Sequence, residues 1–111
     1  MSHQEHAQCV EACDECAAAC NHCATACLAE PDVKMMAPCI ALDIDCAAIC
    51  QLASAAMARG SSFARDVCAL CASICEACGQ ECAKHSADHC QACAQMCRRC
   101  AEECRRMSAT V

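Results

Sequence analysis

Residues Cys9–Cys27 read CVEACDECAAACNHCATAC. Cysteine stands at 9, 13, 16, 20, 23 and 27, in steps of 4, 3, 4, 3 and 4. That alternation is the period of one face of an α-helix, where residues three and four apart lie one above the other. The face that would ordinarily carry Leu and Ile carries thiols. Glu11, Asp14, Glu15 and Asn21 fall on the outer side. The stretch predicts a first helix over about 5–28.

The rhythm recurs downstream. Cys68, Cys71, Cys75, Cys78 and Cys82 step by 3, 4, 3 and 4, and so do Cys90, Cys93, Cys97, Cys100 and Cys104. Between these runs and the first, the same rhythm passes through Met36, Cys39, Asp43, Cys46, Cys50, Ala53 and Met57. Asp43 therefore occupies a cysteine position. A buried carboxylate is costly unless paired or coordinated. Asp43 is either solvated near an open end, or an oxygen ligand, or a group that holds a ligand in place.

Breaks between the runs give the connections. Glu30-Pro31-Asp32 reads as a turn, with Asp32 a candidate N-cap. Pro38 fits a first turn or else kinks the helix. Gly60 suits the residue just past a helix end. Ser61 or Ser62 can open the third helix, and Ser86 or Asp88 the fourth. The prediction is one domain over 1–111, with helices over about 5–28, 35–59, 62–85 and 88–107. Short connections make this an all-α, antiparallel up-down-up-down four-helix bundle with a cysteine-lined core.

Composition agrees. The chain has 26 Ala and 19 Cys but one Phe, no Tyr and no Trp, with only 2 Gly and 2 Pro to interrupt helices. A net charge of −6 speaks against nucleic acid and anionic membranes as partners. No apolar run approaches a membrane span. A disulfide scaffold is the ordinary reading of so much cysteine in a small chain. The odd count, the helical periodicity and the short polar start, Met1–Gln8, without signal-peptide character, oppose it. Free thiols in a reducing cytoplasm are the expectation.

As packing alone, nineteen facing thiols make little sense, because Leu would bury more area at each position. Thiolates take soft metals: Cu(I), Zn(II) or iron in clusters. Zinc and iron–sulfur motifs place cysteines on loops and knuckles, and neither needs a helical row. Cu(I) accepts two or three thiolates. Two can come from an i, i+4 pair and a third from a facing helix. If each thiolate bridges two ions and each ion takes two thiolates, ions and thiolates balance, and the filled core is neutral. The cargo is then on the order of one Cu(I) per cysteine. Two other readings are zinc or general thiophilic-metal buffering and, in a different class, a thiol redox enzyme. The enzyme needs one activated cysteine with a resolving partner, and no cysteine here differs from its neighbours in that way.

The segments MAPCIALDIDCAAIC (36–50), VCALCASICEACGQEC (67–82) and HSADHCQACAQMCRRCAEEC (85–104) resemble the bacterial copper storage proteins, the Csp family, over about residues 9–107. That resemblance implies a non-enzymatic Cu(I) store of the cytosolic type and a homo-oligomer, a tetramer by family habit. A copper chaperone is a candidate partner. It also implies that Asp43, His85 and His89 join the cysteines as metal ligands near one mouth.

Antiparallel order gathers Cys27, Met35, Met36, Cys82, His85 and His89 at one end. Residues 82, 85 and 89 continue the 3–4 rhythm, so copper is expected to enter there. Met35 and Met36 remain open between packing and metal binding. The opposite end gathers His6, Met57, Phe63 and Met107, and reads as a greasy plug. His3, His6 and His22 are read as surface residues. Between Met35 and Ala58 only Asp43 and Asp45 are charged. The outer face of the second helix, with Ile40 and Ile44, is therefore expected to meet a second subunit or a neighbouring helix.

Overall fold

A computed structural model describes residues 3–109, with side chains from His6. Four helices occupy almost all of it: α1 (His3–Leu28), α2 (Val33–Arg59), α3 (Ala64–Ala83) and α4 (Asp88–Ala109). They form an antiparallel bundle measuring 46 × 19 × 18 Å. Around the bundle α1 packs on α2 and α4, and α3 packs on α2 and α4. Helices on the diagonals meet through core side chains, as in Cys50–Cys100 at 3.7 Å and Cys46–Cys97 at 4.0 Å.

The helix ends depart from the expected bounds for local reasons. α2 begins at Val33, so Pro38 lies in its second turn, where its missing N–H leaves the Lys34 carbonyl without a helical partner. That turn is exposed and water can serve the carbonyl. Asp32 precedes α2, but it caps with its backbone carbonyl, which accepts from the Met35 N–H at 2.9 Å, and not with its side chain. Gly60 ends α2 in the left-handed region, φ 67°, which only glycine enters without strain. The N–H groups of Gly60 and Ser61 close the last turn onto Met57 O and Ala56 O.

Before α3, Ser61 makes a turn of its own. Its Oγ accepts from the Phe63 N–H and its carbonyl from Ala64 N–H, so α3 starts at Ala64 and not at 62. At the other end Lys84 and His85 bond back three residues instead of four, and α3 stops at Ala83. The Gln91 amide donates to Ala83 O and His85 O and closes the connection. His85 thus lies between helices and His89 in the first turn of α4. The 3–4 rhythm of 82, 85 and 89 read from the sequence is therefore not carried on one helical face.

α2 has the length and apolarity of a membrane-crossing helix, with a mean hydropathy of 1.6, against the expectation that no run comes near one. Its inward stripe carries Cys39, Asp43, Cys46 and Cys50, all buried in the bundle. Ile44 and Leu52 on its outer side are 58% and 48% exposed, whereas Ile40 is partly buried against the core.

Candidate metal centre

Every cysteine is buried, none is in a disulfide, and all but Cys9 have no exposed surface. The periodicity places them. Each helix turns one stripe inward, and four stripes meet on one axis. Seven of the i, i+4 pairs lie at 3.8–4.0 Å between sulfurs: 16/20, 23/27, 46/50, 71/75, 78/82, 93/97 and 100/104. Cys9 and Cys13 instead both face Cys104, at 3.7 and 3.6 Å. Cys68 sits beside the same group.

Facing helices supply third sulfurs. Cys75 lies 3.5 and 3.7 Å from Cys46 and Cys50. Cys20 lies 3.6 and 3.8 Å from Cys93 and Cys97. Cys90 lies 3.9 and 3.7 Å from Cys23 and Cys27. With a metal–sulfur bond of roughly 2.3 Å, three sulfurs in a plane around one ion sit about 4 Å apart. The thiols already stand at that spacing.

Quartets of sulfurs within 4.8 Å of one another run along the axis: Cys13/71/100/104, Cys16/46/50/75, Cys16/20/46/97, Cys20/78/93/97 and Cys23/27/39/90. Cys16, Cys20, Cys46 and Cys97 each serve two of these quartets. The quartets therefore cannot fill as independent four-ligand sites, and shared thiols must bridge.

Asp43 is fully buried, which removes the reading of a solvated carboxylate. Thiols from three helices converge on it. Cys78, Cys93 and Cys82 donate to Oδ1 at 3.2, 3.4 and 3.5 Å, and Cys39 to Oδ2 at 3.8 Å. Burial, chiefly, pushes its carboxyl up to about 9. Burial also lifts the Cys90 thiol to about 11. Without metal, Asp43 and Cys90 therefore hold their protons at neutral pH.

The two mouth histidines are not equivalent. His89 Nε2–H donates to Glu30 Oε1 at 2.8 Å. Its Nδ1 then faces Cys90, Cys23 and Cys27 at 3.5, 3.6 and 3.8 Å. A carboxylate that fixes the tautomer and aims the other nitrogen is the usual support of a ligating histidine. His85 is as buried as His89 but turns to a different partner, with Nε2 on Glu81 Oε2 at 2.9 Å. The sequence reading missed both carboxylates. Glu81 was detectable as the i−4 neighbour of His85, whereas Glu30 and His89 are 59 residues apart.

Met36 is buried at this end and Met35 is 68% exposed. At the far end Phe63 is 68% exposed and plugs nothing, while Met57 and Met107 are buried. His22 is exposed, and the side chain of His3 lies outside the described residues. His6 is buried, against the surface reading.

The model of the Csp family, copper storage protein, matches residues 2–109 of this chain. Apo copper storage protein 3 from Bacillus subtilis is 55% identical, over 94% of this chain and 99% of that one, with a TM-score of 0.87. The Cu(I)-bound copper storage protein BsCsp3 is also 55% identical, over 97% and 100%, with a TM-score of 0.90. A cytosolic copper storage protein from Streptomyces lividans, solved with five coppers, is 40% identical over 98% and 96%, with a TM-score of 0.94.

Proposed function

The chain belongs to the copper storage protein family, and from that premise we propose that it stores Cu(I) within the bundle as a single domain, on its nineteen cysteines, Asp43, His85 and His89. The observation that carries the reading is the burial of all nineteen thiols at near-contact spacing. Each Cu(I) that enters displaces about one thiol proton, so the core stays neutral as it fills, and a neutral core can remain buried. Positive charge beside Asp43 favours its ionised form, so an ion bound there displaces the carboxyl proton in place of a thiol proton and gains an oxygen ligand. At the mouth, His89 Nδ1 receives the ion and passes it to Cys23, Cys27 and Cys90, the nearest thiols.

We further infer a binding protein without enzymatic turnover, resident in the cytoplasm as the Streptomyces relative is described to be. The exposed Ile44 and Leu52 support a homo-oligomer, a tetramer on the family pattern, with a copper chaperone as the candidate partner at the mouth.

Anaerobic titration of the reduced, metal-free protein against a chromophoric Cu(I) chelator tests the reading. Uptake on the order of one ion per cysteine is expected, and saturation after only a few ions would sink it. Zinc buffering is the second reading, favoured by the sulfur quartets, since four sulfurs around one point suit tetrahedral zinc. Shared thiols limit zinc to far fewer ions than copper. Zinc uptake equal to copper uptake in the same titration would reverse the order of the two readings.

A further inference from the structure

At the end of the bundle away from His85 and His89, we propose that His6 is the nitrogen ligand of a further Cu(I) site. The inference rests on the storage reading and adds a site outside the thiol stripe. His6 is only 5% exposed. Its Nδ1 lies 3.3 Å from the Met57 carbonyl, which can only accept, so Nδ1 carries the proton. That carbonyl belongs to the last turn of α2 and also receives the Gly60 N–H, so the ring is held by a fixed backbone atom. The same bond leaves Nε2 as the free nitrogen. It is the one buried side-chain nitrogen or oxygen without a hydrogen-bond partner among the described residues.

Leaving a buried polar atom unpaired is destabilising. An apolar residue here would avoid that cost, and the surroundings could accept one. What surrounds His6 explains the choice of a nitrogen. Cys9 follows three residues later on the same face of α1, and its sulfur lies 3.7 Å from Cys104. Met57 and Met107 are both buried at this end. A cavity of about 450 Å³ reaches the place, lined by His6 and Met107 and rimmed by Ser61, Ser62, Arg65 and Asp66. Imidazole, thioether and thiol are the donors of a soft monovalent ion. No buried carboxylate stands among them to favour a hard cation. Because Nε2 bears no proton in this tautomer, an ion can bind it without displacing one. The site sits one helical turn beyond Cys9, where the thiol stripe of α1 ends.

Imidazole nitrogen NMR of the full chain, metal-free and then filled with Cu(I) under reducing conditions, reads the site directly. Cu(I) is diamagnetic, so both states give sharp spectra. On filling, His6 Nε2 should move upfield by tens of parts per million while Nδ1 keeps its protonated signature. A His6 Nε2 unmoved in a chain whose thiols have filled would overturn the inference and leave storage intact. Failure of the chain to take up more than a few ions would defeat the storage reading, and this inference with it. The His6→Phe variant retains a buried ring and should saturate one ion short of the parent. Equal capacity in the folded variant would also overturn the site.

Discussion

Asp43 and His89 set the terms at the scale of single residues. The Asp43 carboxyl is raised from an ordinary value of 3.8 to about 9, chiefly by burial. The folded, metal-free protein therefore holds a proton that the unfolded chain releases, and stability falls as pH rises through the window between those values. The slope is at most about 1.4 kcal/mol per pH unit. Thermal melts of the reduced apo-protein between about pH 7 and pH 9 should show the midpoint falling, and Asp43→Asn should flatten that fall. For His89 the sensitive partner is Glu30. Replacing Glu30 by Gln keeps the size but weakens the hold on Nε2–H. Copper affinity or uptake rate at the mouth should drop by about tenfold, read by stopped-flow loading, with total capacity unchanged. Asp43 was legible in the sequence because it interrupts a strict period. Glu30 was not, since its contact joins the α1–α2 turn to the start of α4 and no local spacing encodes it. His6 was misread for a related reason. Its place three residues before Cys9 was visible, but its burial depends on the end of α2 packing over it.

Among the elements, α3 and α4 depend on one close approach. A Cβ on Gly79 would come 3.2 Å from the Cys97 Cβ and 3.6 Å from the Ala94 carbonyl. Both are fixed to the α4 backbone, so they cannot swing aside. Gly79→Val should force the helices apart and cost about 1–3 kcal/mol, visible as a lower urea midpoint of the apo-protein. It should also disturb the Cys20/78/93/97 quartet, which lies at that level. The stripes themselves were legible because a helix repeats its face every 3.6 residues and cysteine marks each return. The ends were less so. Ser61 and Gln91 decide where α3 starts and stops, through turn and capping bonds that periodicity does not carry. Arg99 pairs with Glu11 and Glu15 across α1 and α4, and Arg105 with Glu76 across α3 and α4. These exposed pairs each contribute little to stability.

For the whole molecule the outer face of α2 is the feature left without a partner. Ile44 and Leu52 stand exposed beside a shallow hollow lined by Asp45, Ala48, Ile49 and Ile74. The double variant Ile44→Glu/Leu52→Glu should sediment as a smaller species than the parent while retaining its copper capacity. An unchanged sedimentation coefficient would remove α2 from the subunit contact. The antiparallel order was legible from four stripes and short connections, but the surface that meets a partner was visible only as a lack of charge. One consequence follows from a core in which every thiol is hidden and, on the storage reading, each ion bound by the thiols replaces a proton. Empty and full, the thiol core then presents the same outline and the same charge to the solvent. A cell has no external marker of how full such a reservoir is. Any partner that draws on it must gauge the level as a chemical potential, felt at the ends of the tube, and not as a shape.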